Sequence, residues 1–123
     1  MSELTRPGAD PPGMLRIGRD DRPPAVVLTV RGDIDTVTAP QVTAAVADAA
    51  ADGPPVLVLD LTEVEFLASP GLTALLIIRR DLPAGTALRI VAAGRATLRP
   101  IQLTGLQQSL PLYPTLGAAL AGP

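Results

Sequence analysis

The sequence predicts an α/β fold: one domain built on a mixed, mostly parallel sheet of 4–5 strands with about four helices. Three observations carry this. Short runs rich in Val, Leu and Ile alternate along the chain with segments of helical periodicity, as strand–helix–strand crossovers require. The run "PVLVLDL" (55–61) is apolar almost throughout rather than at every second position, as in a strand covered on both faces. Capping residues and Gly–Pro pairs fall at the junctions between these segments. At 123 residues the chain fits a single domain that buries roughly two-thirds of its unfolded surface.

Taken in order, the tail 1–12 holds "RPGADPP", which neither packs nor pairs and is expected to be disordered, leaving a domain over 13–123. "MLRIGRD" (14–20) alternates weakly, as an edge strand does, and "DRPP" (21–24) is a turn. "AVVLTV" (25–30) is a β-branched strand, left through a polar loop, "RGDIDTVT" (31–38). Thr38 and Gln41 have capping-box spacing, Pro40 suits a first helical turn, and Val42, Ala45, Val46 and Ala49 make one apolar stripe. Gly53 and Pro54 end that helix, and the strand 55–61 follows.

In "FLASPGL" (66–72), Ser69 is the expected N-cap of a second helix and Pro70 its first residue. Leu72, Leu75, Leu76, Ile78 and Leu82 form its apolar arc, while Thr73, Ile77 and Arg80 share the opposite face. "TALRIVA" (86–92) is a further strand. "RATLRPIQLTGL" (95–106) is a helix capped by Thr97, which puts Pro100 in the tolerated first turn, and Gly105 ends it. "LPLYP" (110–114) is a short strand and "TLGAALAG" (115–122) a last short helix.

Composition narrows the function. The chain has no Cys and no His, and all ten basic residues are Arg. That excludes disulfides, thiol nucleophiles, a Ser–His–Asp arrangement, a Schiff-base lysine and the phosphate-loop lysine. A net charge of −2, with one Phe, one Tyr and no Trp, argues against nucleic acid as partner. No apolar run nears the ~20 residues of a membrane span, and the N-terminus lacks the pattern of a signal peptide, so a cytoplasmic protein without membrane contact is expected. The residues point to no catalytic centre, no cofactor and no metal.

The order of motifs resembles the STAS domain family, and within it the bacterial anti-sigma factor antagonists. "GDID" (32–35), "LVLDLTEVEFLASPGL" (57–72), "LTGL" (103–106) and "LPLYPTLGAAL" (110–120) carry the resemblance, which covers about residues 14 to 121. Such proteins typically open the second helix with Asp-Ser-Ser/Thr-Gly-Leu and are phosphorylated on the serine after the Asp. Ser69 stands at that serine, with Gly71 and Leu72 matching. Ala68 replaces the Asp, and Pro70 replaces the second hydroxyl residue.

The resemblance implies an anti-sigma factor antagonist that binds an anti-sigma factor serine kinase, frees a sigma factor and is switched off by phosphorylation of Ser69, with a phosphatase to reset it. It implies a partner-binding surface of Asp33, Asp35, Ser69, Pro70, Thr73 and Ile77. Each of these residues also has a plain structural reading. Ser69 caps a helix, Asp33 and Asp35 make turn bonds, and Ile77 packs under a neighbouring loop. Asp35 is the carboxylate left to orient the Ser69 hydroxyl. Asp60 is expected to end its strand. A STAS subunit of a transporter or signalling complex, without phosphorylation, is the alternative. An enzyme or nucleotide-binding protein relying on carboxylates alone is disfavoured by the missing Lys, His and Gly-rich phosphate loop.

Overall fold

A computed structural model of the chain describes residues 14–122; the expected tail, 1–12, lies outside them. The elements run β1 (Leu15–Arg22), β2 (Ala25–Ile34), α1 (Ala39–Ala50), β3 (Val56–Leu67), α2 (Ser69–Asp81), β4 (Ala87–Val91), α3 (Leu98–Leu103), β5 (Leu112–Tyr113) and α4 (Leu116–Ala121), with a 3-10 turn at Leu106–Gln108. The strands form one sheet in the order β1-β2-β3-β4-β5. β1 is antiparallel to β2 and the other pairs are parallel. This is the mixed, mostly parallel sheet that the alternation of patterns predicts.

The pleat divides the apolar residues between two layers. Val26, Leu28 and Val30 of β2 and Leu57, Leu59 and Leu61 of β3 face α1 and α2, where they meet Val42, Val46, Leu72, Leu75 and Ile78. Ala25, Val27 and Val58 face the other way, under Ala119 of α4. A strand covered on both sides has no polar position to spare, which is why "VLVL" shows no alternation. Each fully buried leucine contributes roughly 1.5–3 kcal/mol.

Four local expectations are corrected. β2 does not give way to a loop after Val30 but pairs through Ile34, and β3 continues to Leu67. Two register shifts between these strands absorb the extra residues, at Thr29/Arg31 and at Gly32/Asp33. Gly32 has φ +106°, and a Cβ there would run into the Met14 carbonyl oxygen, so the second irregularity needs glycine. Asp60 does not end β3. It is buried inside the strand and accepts the Thr62 N–H at 3.0 Å, beside the first shift. The capping box is not formed either. The Thr38 hydroxyl donates to the Asp33 carbonyl at 2.7 Å and accepts from the Asp35 N–H at 2.9 Å, which turns it away from the helix.

The serine end of the domain rests on Gly71. This residue is buried, and a Cβ on it would lie 2.6 Å from Leu67 Cδ1 and 2.7 Å from Ile34 Cγ2. The first turn of α2 therefore sits directly on the ends of β2 and β3. Gly71→Ala should destabilise the fold by about 1–3 kcal/mol through overpacking. Gly85→Ala, where nothing lies within 4 Å of the added carbon, is its control and should cost nothing measurable. Matched thermal melts test this, and equal melting of the two variants would contradict it.

Candidate functional site

Ser69 follows β3 after a single linking residue. Ala68 is extended, with φ −86° and ψ 169°, and its N–H donates to the Ile34 carbonyl at 2.9 Å. That bond ties the start of α2 to the end of β2. The Ala68 carbonyl then accepts from Gly71 N–H at 2.8 Å and Leu72 N–H at 3.2 Å. Helical bonding therefore begins at Ala68, which is the N-cap, and Ser69 is the first helical residue rather than the cap.

The consequence is chemical. A capping hydroxyl would be tied to the backbone, whereas Ser69 is exposed and its hydroxyl bonds to none of the described residues. Pro70 brings no N–H, and the next two are turned back on Ala68. A phosphate on Ser69 would thus meet the positive end of the α2 dipole but few backbone donors. No arginine occurs over residues 32–38 or 64–72, whereas Asp33, Asp35 and Glu65 do.

The loop after β2 lies beside this end because of the Ala68–Ile34 bond. Asp35 Oδ1 accepts from the Val37 N–H at 2.9 Å and the Thr38 N–H at 3.0 Å. The Thr38 backbone bond above all, with the Thr38 hydroxyl and the Val37 N–H, holds its carboxyl below the usual range. Asp35 therefore builds its own loop. No hydrogen bond joins it to Ser69, so the expected orienting contact is absent among the described residues. Asp33 is half-buried and pairs in register with Phe66.

Along α2, Pro70 is half-buried, and Ser69, Thr73 and Ile77 are exposed at successive turns of one face. Ile77 forms one lip of an apolar groove of about 600 Å³ between α1 and α2, with Val46, Ala50 and Ile78 also lining it. The structure thus puts Asp33, Asp35, Ser69 and Pro70 at one edge, with Thr73 and Ile77 running down the helix from it.

Sequence reading missed two apolar side chains at this edge. Val37 is 74% exposed and Phe66 is 54% exposed. Phe66 stands outward because Leu67, next to it, is buried in the core. It is the chain's single Phe, and Val37 is the one large apolar residue between Asp35 and Thr38; both were visible signals. Among the described residues no group of three or more Asp or Glu is placed to hold a metal ion, and no helix is long and apolar enough to cross a membrane.

Residues 17–119 match the STAS domain family. The chain is 37% identical over 111 residues to the anti-sigma-F factor antagonist RsfB of Mycobacterium tuberculosis, covering 90% of this chain and 91% of that protein. It superposes on the crystal structure of an anti-sigma factor antagonist from Mycobacterium paratuberculosis with a TM-score of 0.85 at 45% identity, covering 91% of this chain and 96% of that one. It also shares its fold with the Bacillus cell fate determinant SpoIIAA in its phosphorylated form, with a TM-score of 0.60 at 19% identity over 85% of this chain and 96% of the other.

Two predictions follow from the local geometry. Ala68→Asp puts an acceptor at the true cap and should stabilise the protein by about 1 kcal/mol, while Ser69→Ala, losing no bond, should stay within ~0.5 kcal/mol of the native chain. A melt in which Ser69→Ala loses more than Ala68→Asp gains would return the cap to Ser69. The second concerns pH. The Asp35 carboxyl is lowered by folding, so its stabilisation is present above the ordinary carboxylate pKa of about 3.9 and is lost as pH falls through the lower folded value. Asp35→Asn should therefore be less stable than the native chain at neutral pH, with the gap narrowing as the pH falls below the ordinary carboxylate range. A gap independent of pH would show that the charge is immaterial.

Proposed function

The chain belongs to the STAS domain family, and on that premise we propose that it is an anti-sigma factor antagonist switched by phosphorylation of Ser69. Unphosphorylated, it binds an anti-sigma factor serine kinase and so frees the sigma factor that this kinase held. Phosphorylated on Ser69, it releases the kinase, and a phosphatase resets it. The observation that carries this reading is the state of Ser69, an exposed hydroxyl bonded to none of the described residues on a helix start fixed by Gly71. The likeness to the two mycobacterial antagonists supports the role itself.

The arrangement supplies a physical mechanism. Val37 and Phe66 offer apolar area beside Ser69, and Thr73 and Ile77 extend it along α2. Phosphorylation adds a charge of about −1.5 to −2 beside segments, 32–38 and 64–72, that hold acids and no arginine. The chain itself tolerates that charge, because Ser69 is in water and at the positive end of the α2 dipole. A partner packed on this edge must strip the phosphate of water, and neither segment 32–38 nor 64–72 has a guanidinium to receive it. A loss of about 3 kcal/mol in binding is roughly a hundredfold in affinity, enough to hand the kinase to its other partner. The phosphate thus acts on the interface and not on the fold.

Incubation with the cognate kinase and ATP should label the native chain on Ser69 and leave Ser69→Ala unlabelled. Ala68→Asp, which restores the carboxylate usual in the family, should label faster. In calorimetric titration with the kinase, Ser69→Ala should bind like the native chain and Ser69→Asp at least tenfold more weakly. Undiminished labelling of Ser69→Ala, or equal affinity of the two variants, would refute the assignment.

A further inference from the structure

We propose that the opposite end of the sheet carries a second binding site, a cavity of about 340 Å³ that takes a small free organic carboxylate with an apolar body. The cavity lies at the N-terminal ends of β2 and β3, whereas Ser69 lies past the C-terminal end of β3. Two guanidinium side chains, Arg22 and Arg89, line it together with Pro24, Ala25, Val56 and Leu120, and no acidic residue does.

Arg89 is the unusual member. Its Nη1 donates to the Ala119 carbonyl at 2.6 Å, and its guanidinium carbon lies 5.9 Å from the centre of the Tyr113 ring. Both contacts fix its position; neither brings a full negative charge. Arg31, similarly half-buried, has Glu63 at 3.7 Å. Arg79, Arg95 and Arg99 also lack a carboxylate partner, but they are exposed and hydrated. Arg89 alone among the described arginines is half-buried with no carboxylate partner among the described residues, in a chain that has more acids than bases. Removing a cation from water is costly unless an anion meets it.

Arg22 adds the second charge. Its Nε is held by Asp20 at 2.6 Å, a bond on the exposed side of the strand, and its Nη groups carry no other bond. A guanidinium presents paired donors in a plane, which match the two oxygens of a carboxylate. The rest of the lining is apolar, so the body of the ligand is best hydrocarbon. The charge fixes the head of the ligand, and the wall of Ala25, Val56 and Leu120 selects its body.

The test is a titration of the full native chain with hexanoate at constant ionic strength, followed by amide chemical shifts. Saturable shifts should appear at Ala25, Val56 and Leu120 and not at Ser69. Hexanol, which lacks the charge, and acetate, which lacks the body, should each bind at least about tenfold more weakly. Arg89→Gln should weaken hexanoate about tenfold. Because Arg89 also holds α4, Arg22→Gln is the second variant; Arg22 is tied only to exposed Asp20, so it should fold normally and still weaken hexanoate severalfold. Absence of saturable shifts, hexanol or acetate binding as well as hexanoate, or affinity unchanged by either arginine substitution would overturn the proposal.

Discussion

The serine end of this protein depends on one close approach, the first turn of α2 lying directly on the ends of β2 and β3 at Gly71. A side chain there would overlap both Ile34 and Leu67. The approach allows the Ala68 N–H to reach the Ile34 carbonyl, and that bond closes the gap between the β2 edge loop and the helix. From this single contact follow the position of Ser69, the neighbourhood of Asp33 and Asp35, and the outward stance of Phe66. An exposed hydroxyl on such a support is a fixed mark on the surface, which recognition by a partner and by a modifying enzyme both require.

In the proposed function, the electrostatics of that edge would set the direction of a phosphorylation switch. The segments that meet at Ser69, 32–38 and 64–72, hold Asp33, Asp35 and Glu65 but no arginine, and Pro70 removes a backbone donor that would otherwise receive an anion. A phosphate there would be stabilised by water and the helix dipole. Dehydrating it therefore falls as a cost on binding, while the fold hardly feels the charge. The other end of the sheet has the inverse composition, with two arginines and no acid facing an apolar cavity. One small domain thus separates an edge of carboxylates from a cavity at which Arg89 has no carboxylate partner among the described residues.

Much of the fold was legible because the periods are clear. The unbroken apolar run at 55–61 specified a strand covered on both faces, and the stripes on α1 and α2 specified which sides pack. What was not legible lay in tertiary bonds. "RGDI" looks like a loop because its polar residues hide two register shifts that keep β2 paired, and Asp60 looks like a terminator although it serves one of those shifts from inside the strand. Ser69 looks like an N-cap because Ser-Pro-Gly usually is one. Only the bonds of the Ala68 carbonyl move the helix start back by a residue and release the hydroxyl. Thr38 is likewise drawn from the helix to the β2 loop by Asp33 and Asp35. Of the site, the serine and its helix face could be read in advance, and the single Phe was a signal that could have been read, whereas the degree to which Val37 and Phe66 stand exposed and the α1–α2 groove depend on tertiary packing.

The central claim is that the phosphate on Ser69 decides whether the partner is held. The most direct measurement adds the native chain, before and after phosphorylation by the cognate kinase, to a preformed complex of anti-sigma factor and sigma factor, and reads sigma release by size-exclusion chromatography. The account predicts release by the unphosphorylated chain, and release by the phosphorylated chain only at about a hundredfold higher concentration. Equal release by the two forms, with Ser69 verified as the modified residue, would contradict it.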